Sequence, residues 1–95
     1  MTEPLSRDLT EIKRHVLAMA SAAEEALGLA LAAYTQRAAV PAISLANAEA
    51  KIDRLQLEID EEIIQCLALH QPVAGDLRFV TSAMRIVNDL ERIGD

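Results

Sequence analysis

The chain has 95 residues, of which 52% are apolar and only 2% are aromatic, so its core must be built from aliphatic side chains. Its 17 alanines and 13 leucines, against three glycines and three prolines, favour long helices and exclude a β-sandwich or a barrel. The net charge of −6 argues against nucleic acid as a partner. A single cysteine allows no internal disulfide, and so small a core predicts a homo-oligomer.

The start of the chain, MTEPLSRDL, carries neither a basic segment nor an apolar leader, and the lone cysteine suits a reducing compartment. The longest nearly apolar stretch, 26–34, is about half the ~20 residues that a bilayer span needs. The sequence therefore predicts a cytoplasmic chain with no membrane span.

Apolar residues recur at steps of three and four in three segments, which predicts an antiparallel three-helix bundle. We expect α1 at about 5–36, α2 at about 42–69 and α3 at about 75–95, with breaks at Pro41 and Pro72. The predicted core positions of α1 are Leu5, Leu9, Ile12, Val16, Met19, Ala23, Ala26, Ala30 and Ala33. Those of α2 are Leu45, Ala48, Ile52, Leu55, Ile59, Cys66 and Leu69, with Glu62 at the one skipped position.

The predicted α3 carries two neighbouring apolar rows, and Asp76 in its first turn suits the positive end of the helix dipole. Both rows require burial, so α3 is expected either at the centre of its bundle or against a partner. The first row consists of Phe79, Ala83, Ile86, Leu90 and Ile93, and the second of Leu77, Val80, Met84 and Val87.

The short turn at Pro72 makes α2 and α3 antiparallel neighbours, which predicts a layer of carboxylates between them. Counting outward from Pro72 places Glu49 opposite Asp95 and Asp53 opposite Glu91. Each pair on one helix is spaced i, i+4, so both side chains project from the same face. A similar count through the first break brings 24–28 of α1 near this layer.

Clustered oxygen ligands without histidine suit magnesium, manganese, calcium or iron, with zinc less favoured. The same residues can instead form a solvated face or pair with arginine, and the register alone leaves both interpretations open. We expect Cys66 to be a small core residue, His15 to lie on the surface, and His70 to interact with the end of the α2 dipole.

Three stretches of the sequence carry a more specific pattern. They read IDRLQLEI at 52–59, LALHQPVAGDLRF at 67–79 and NDLERIGD at 88–95. Together they resemble the PhoU family of phosphate-uptake regulators. The resemblance implies a three-helix repeat, usually present twice per chain, whose paired acidic motifs bind metal clusters. These motifs correspond to Glu49, Asp53, Glu91 and Asp95.

The resemblance also implies a function. Members of the family are negative regulators that link a phosphate ABC transporter, through its nucleotide-binding subunit, to a sensor histidine kinase at the inner face of the membrane. We therefore expect a non-enzymatic, dimeric adaptor with bound iron, manganese, magnesium or zinc. Because α3 would have to reach about residue 102 to cover the start of α2, we also expect the chain to be the N-terminal half of a two-repeat protein, with α3 truncated.

Two other classes of protein are compatible with a helical bundle of this size. Carboxylate-bridged di-iron oxidases place Glu-x-x-His on bundle helices, whereas here Ile12 and Leu67 precede the two histidines by three residues. The sequence therefore disfavours that enzyme class. A metal-free helical oligomerisation module, with a solvated acidic layer and α3 at the interface, stays open.

Overall fold

The computed structural model describes residues 3–36 and 42–94. It contains α1 at Glu3–Gln36, α2 at Ala42–His70 and α3 at Ala74–Gly94. All three pairs of helices pack against one another in a bundle that measures 52 × 19 × 16 Å. The predicted all-α bundle and its helix boundaries are thus confirmed to within about two residues, while the break at Pro41 and the last residue, Asp95, lie outside the described residues.

The core is aliphatic, as the composition requires. It draws on one stripe of each helix and contains Leu5, Ile12, Met19, Ala22, Ala23, Ala26, Ala48, Ile52, Leu55, Ile59, Ile63, Cys66, Val80, Ala83 and Val87. Among the described residues the core holds no charged or polar side chain. Cys66 is fully buried, which confirms its predicted role in packing.

A tight turn at 71–73 connects α2 to α3. Gln71 and Ala74 adopt positive φ angles of 46° and 54°, so the chain reverses through two left-handed residues without glycine. The carbonyl of Val73 accepts hydrogen bonds from the amides of Asp76 and Leu77, at 3.2 and 3.5 Å. Asp76 lies in the first turn of α3, as predicted.

Two contacts fix the register between α1 and α2. His15 bonds to Glu62 and Asp8 to His70, so each step forward on α1 corresponds to a step backward on α2. Both helices rise by ~1.5 Å per residue. About two and a half turns beyond the His15–Glu62 contact, Glu24 of α1 is therefore level with Asp53 of α2. The antiparallel arrangement and the predicted height of 24–28 follow from this register.

The helices α1 and α3 run parallel, side by side. Lys13 and Phe79 line one shared groove, and further along it Leu17 lies beside Ala83. The same register places Gly94, the last described residue of α3, level with Gly28 of α1. Beyond that height the described structure contains only two helices, 29–36 of α1 and 42–49 of α2.

Three predicted core positions are wrong because of this geometry. Ala30 and Ala33 are exposed, since they lie beyond the end of α3. Leu69 is also exposed, because the buried stripe of α2 moves to Ile63 and Cys66 and leaves Glu62 on the side of the helix that faces α1. In α3 the core runs between the two predicted rows, so Leu77, Met84, Ile86 and Ile93 stay partly exposed.

One segment meets the length and hydropathy criteria for a membrane span. Within Pro4–Thr35, an 18-residue window has a mean hydropathy of 1.5, and 22% of that window is buried in the bundle. Core helices rich in alanine and leucine meet the same criteria, so these values do not distinguish a membrane span from a core helix. The expected absence of a membrane span stays a prediction.

Candidate functional site

The predicted acidic layer begins on α2. Ile52 and Ile59 mark the buried stripe of this helix, and helical spacing places Glu49 and Asp53 on one side of the stripe and Glu62 on the other. Because Glu62 contacts α1, Glu49 and Asp53 lie on the side toward α3. Glu49 is half-buried and Asp53 is exposed.

The residue that the sequence predicts opposite Asp53 on α3 is Glu91. Glu91 is half-buried one turn beyond the core residue Val87, on the side away from Ile86, which lines the groove with α1. Its side chain takes part in an interaction of its own. Asp95, the fourth predicted ligand, lies outside the described residues.

The described carboxylates do not themselves gather into a metal-binding cluster. Across 3–36 and 42–94, no three His, Cys, Asp or Glu side chains lie close enough together to hold an ion. A hard cation prefers oxygen ligands, which Glu49, Asp53 and Glu91 supply from the sides of α2 and α3 that face each other. A complete site needs Asp95 as well. The metal site therefore stays a prediction.

On the first helix, the residues at the height of this layer face solvent. Glu24 and Gly28 are exposed at the heights of Asp53 and Glu49, and a Cβ atom added at Gly28 would meet no atom within 4 Å. The layer lies near Gly94, the last residue of α3 that the structure describes.

Sequence reasoning missed a histidine bridge between α1 and α2. His15 was predicted on the surface, but its side chain is only 18% exposed and its Nδ1 lies 2.8 and 2.9 Å from the two carboxylate oxygens of Glu62. The Nη2 of Arg14 donates to His15 Nε2 at 3.1 Å. Since a guanidinium can only donate, this arrangement places the imidazole proton on Nδ1, where it is donated to Glu62.

A second bridge lies two turns away. His70 Nε2 contacts Asp8 Oδ2 at 2.8 Å, so the last residue of α2 bonds to a carboxylate of α1. His70 also lies in the last turn of α2, at the negative end of that helix dipole. A cavity of about 150 Å³ between the bridges is lined by Asp8, Glu11, Glu62 and Gln65. Residue 8 of α1 faces residue 70 of α2, and residue 15 faces residue 62. The antiparallel register of α1 and α2 was therefore the signal that could have revealed both bridges.

A hydrogen bond and burial shift the pKa values of three side chains, Glu11, Arg14 and Cys66. The hydrogen bond from Arg14 to Glu11, at 2.8 Å, lowers the pKa of that exposed carboxyl and raises the pKa of the guanidinium. Burial raises the pKa of the Cys66 thiol, and the negative charges of Asp8 and Asp76 add to the effect. The thiol is therefore protonated near neutral pH and is not a nucleophile.

An apolar groove runs between α1 and α3 on the opposite side of the bundle from the bridges. Its volume is about 210 Å³. It is lined by Lys13, Val16, Leu17, Phe79, Ser82, Ala83 and Ile86. Leu17 is 58% exposed and Ile86 47% exposed, so this surface carries large aliphatic side chains in contact with solvent.

Comparison with known proteins places the chain in a family. The PhoU domain matches residues 16–95. A phosphate-specific transport system accessory protein PhoU homolog from Aquifex aeolicus is 37% identical over 91 residues, which cover 96% of this chain and 41% of that protein. The homolog from Pseudomonas putida is 34% identical over 95 residues, which cover 100% of this chain and 37% of that protein.

A similar match is the phosphate-specific transport system accessory protein PhoU of Edwardsiella tarda, 33% identical over 88 residues, with 93% of this chain and 36% of that protein covered. The chain thus spans about two fifths of the length of these relatives. No solved structure matches the chain. Because the family match covers most of the three-helix bundle and agrees with the motifs found in the sequence, the chain belongs to the PhoU family.

Proposed function

We propose that this chain acts in the regulation of phosphate uptake, as one three-helix repeat of an accessory protein of a phosphate-specific transport system. The single observation that carries the proposal is the match of the PhoU domain over residues 16–95. It is supported by the relatives, whose names describe accessory proteins of phosphate-specific transport systems. Since the chain covers only part of these relatives, its role in the full system belongs to the proposal.

The proposed mode of action is that of an adaptor rather than an enzyme. The Cys66 thiol is buried and protonated, and both histidines are held by carboxylates of the neighbouring helix. These groups serve packing and helix pairing. The adaptor binds the nucleotide-binding subunit of a phosphate ABC transporter and a sensor histidine kinase at the cytoplasmic face of the membrane, and it keeps phosphate-responsive signalling low when phosphate is plentiful.

We further propose that the acidic layer binds a metal ion through Glu49, Asp53, Glu91 and Asp95. The donor set is all oxygen, and the register places the described members on facing sides of α2 and α3 near the end of α3. A bound cation would offset the mutual repulsion of these carboxylates and hold the end of α3 against α2. Iron, manganese, magnesium and zinc are the candidate ions.

The metal proposal is tested by elemental analysis of protein purified without an affinity tag. We expect stoichiometric metal in the wild type and its loss in the Asp53→Ala/Glu91→Ala variant. The matched control is Asp60→Ala/Glu61→Ala, which removes two exposed carboxylates of α2 outside the layer and should retain the metal. Equal metal content in all three proteins, or metal in none, would contradict the site.

A metal-free result would favour the remaining alternative, a helical oligomerisation module with a solvated acidic layer. The exposed aliphatic side chains of the α1/α3 groove are the observation in its favour. In that case Asp53→Ala, which removes an exposed carboxylate of the layer, should raise the melting temperature, because it relieves repulsion without removing a ligand.

The regulatory proposal is tested in the source organism with a reporter of phosphate-starvation genes. Deletion of the gene should leave the reporter active in phosphate-rich medium, and the restored gene should repress it. Binding is measured separately, by titrating the transporter's nucleotide-binding subunit and the kinase's cytoplasmic part with purified protein. A reporter that stays repressed after deletion, together with no binding to either partner, would overturn the proposal.

A further inference from the structure

The α1/α3 groove continues into a second cavity. This cavity has a volume of about 300 Å³ and shares Lys13 and Phe79 with the groove. Along α1 the two together extend from Ser6 to Leu17, which is about three helical turns or ~16 Å. Volumes of about 210 and 300 Å³ lie at or below the lower limit for small-molecule pockets, so each cavity suits single side chains. The straight course of the groove between two parallel helices suits a further helix.

The centre of the groove is apolar and open to solvent. Val16 and Leu17 of α1 line it together with Phe79 and Ile86 of α3. Leu17 and Ile86 remain about half exposed, although both lie next to the core. They are therefore available to pack against the apolar side of another helix.

Three cations border this apolar centre. Lys13 lies on its α1 side. On the α3 side, Ser82 lines the groove, and Arg78 and Arg85 are its i−4 and i+3 neighbours on the same helix face. All three cations are exposed, and none of them forms an ion pair with another described residue. Their charges are therefore available to a partner.

The carboxylates on the same two helices leave this rim basic. Asp76 lines the adjoining cavity with Lys13, without an ion pair between them in the part of the chain that the structure describes. Glu24 follows Lys13 by about three turns and lies beyond the groove. Asp89 accepts a hydrogen bond from Arg92 at 2.8 Å. A chain with a net charge of −6 thus presents a locally basic rim around an apolar centre.

We propose that the α1/α3 groove binds an amphipathic helix of a partner protein whose polar side is acidic. The apolar side chains of this helix pack on Leu17 and Ile86. Its carboxylates lie beside Lys13, Arg78 and Arg85. Charge then selects among helices that are equally apolar, because a basic helix meets three like charges at the rim. The inference concerns what the groove recognises and does not depend on the proposed regulatory role.

The chemistry of the occupant is tested by selection from a displayed library of helices. Each helix has about 18 residues, carries leucine or phenylalanine at the i, i+3, i+4 and i+7 positions, and varies among glutamate, glutamine and lysine at the flanking positions. We expect the wild-type chain to select helices in which glutamate outnumbers lysine at least ~threefold. Selection of lysine-rich helices, no preference between the charges, or no binder at all would overturn the proposal.

The apolar centre is tested by titrating the selected peptide with the chain and following the peptide's fluorescence anisotropy. Ile86→Asp should raise the dissociation constant at least ~tenfold. The control is Leu57→Asp, which changes an apolar side chain of α2 that is 71% exposed and should leave the affinity unchanged. Circular dichroism establishes that both variants fold. Equal weakening by both variants overturns the proposed position of the helix.

The basic rim is tested with the same peptide by charge reversal. Arg78→Glu/Arg85→Glu should raise the dissociation constant at least ~tenfold, because it sets like charges beside the acidic helix. The matched control is Lys51→Glu/Arg54→Glu, which reverses two exposed cations of α2 and should change the constant less than ~twofold. Sedimentation of the wild type without peptide detects a second copy as the other occupant. A dimer that Ile86→Asp dissociates, or equal effects of the two double variants, overturns the proposal.

Discussion

The two ends of the bundle differ in what covers their apolar side chains. Where three helices overlap, α1 buries Ile12, Met19 and Ala23 against both neighbours. Beyond Gly28 the same helix continues with equally apolar residues, yet Leu31 is 52% exposed and Tyr34 is 84% exposed. The helix stays apolar past Gly28, so its exposure there follows from the absence of α3 beside it in the described residues. Hydrophobic periodicity thus indicates which face of a helix can be buried, while the length of its neighbours decides how much of that face is buried.

The largest expected effect on stability comes from shortening a buried aliphatic side chain in the three-helix part, and an exposed one in the two-helix part serves as the comparison. Ile59→Ala, in the three-helix part, should lower the free energy of unfolding by about 2–5 kcal/mol, because it leaves a cavity in a fully buried layer. Leu31→Ala, in the two-helix part, should change it by less than ~0.5 kcal/mol. Urea denaturation measures both, and similar losses in the two variants would contradict the difference between the ends.

Cysteine reactivity gives a second comparison within the packed end. Cys66 is fully buried and its raised pKa keeps the thiol protonated, so a disulfide reagent at about pH 8 should label the folded chain at least ~100-fold more slowly than the urea-unfolded chain. Labelling is followed by absorbance. Fast labelling of the folded chain would show that the three-helix part opens readily or is packed differently.

The histidine bridges should contribute less than the core. His15→Ala removes a half-buried hydrogen bond to Glu62 and should cost about 1 kcal/mol in the free energy of unfolding. The matched control is Arg85→Ala, which removes an exposed side chain of α3 outside the bridge and should change it by only a few tenths. The bridge has no stabilising role if the two variants unfold at the same urea concentration.

The smallest expected effect concerns pH. Its hydrogen bond to Arg14 lowers the pKa of Glu11 from 4.5, so the stability that this pair supplies is present above about pH 4.5 and is lost as the pH falls through the lowered value. Arg14→Gln should remove this small dependence while leaving the melting temperature near pH 7 almost unchanged. Thermal melts of both proteins from about pH 3 to pH 7 provide the measurement, and identical pH profiles would contradict the contribution of the pair.

Most of the fold was predictable because periodicity and proline breaks act locally. The helix boundaries, the antiparallel turn, the burial of Cys66 and the position of Asp76 all follow from short stretches of sequence. The exposure of Ala30 and Ala33 did not follow, because it depends on where a different helix ends. The exposure of Leu69 was also missed, because the buried stripe of α2 passes through Ile63 instead of Glu62, which contacts α1.

The site was predictable in part. Counting from the Pro72 turn predicts the relative heights of Glu49, Asp53 and Glu91, because an antiparallel turn fixes height, and their role as metal ligands stays a prediction. The same counting did not reveal the bridges of His15 and His70, because it relates α2 to α3, whereas both bridges join α1 to α2. The metal and the partners depend on groups outside the chain, so they stay predictions.

Hydrogen exchange of the 95-residue chain, followed by mass spectrometry at peptide resolution, tests the contrast between the ends most directly. We expect strong protection of the amides at about 12–26, 52–66 and 79–90, and exchange at least ~30-fold faster at 29–36 and 42–49, where no third helix packs in the described structure. Fast exchange confined to the two-helix part would support the account. Equal protection along the whole of α1 and α2 would contradict it.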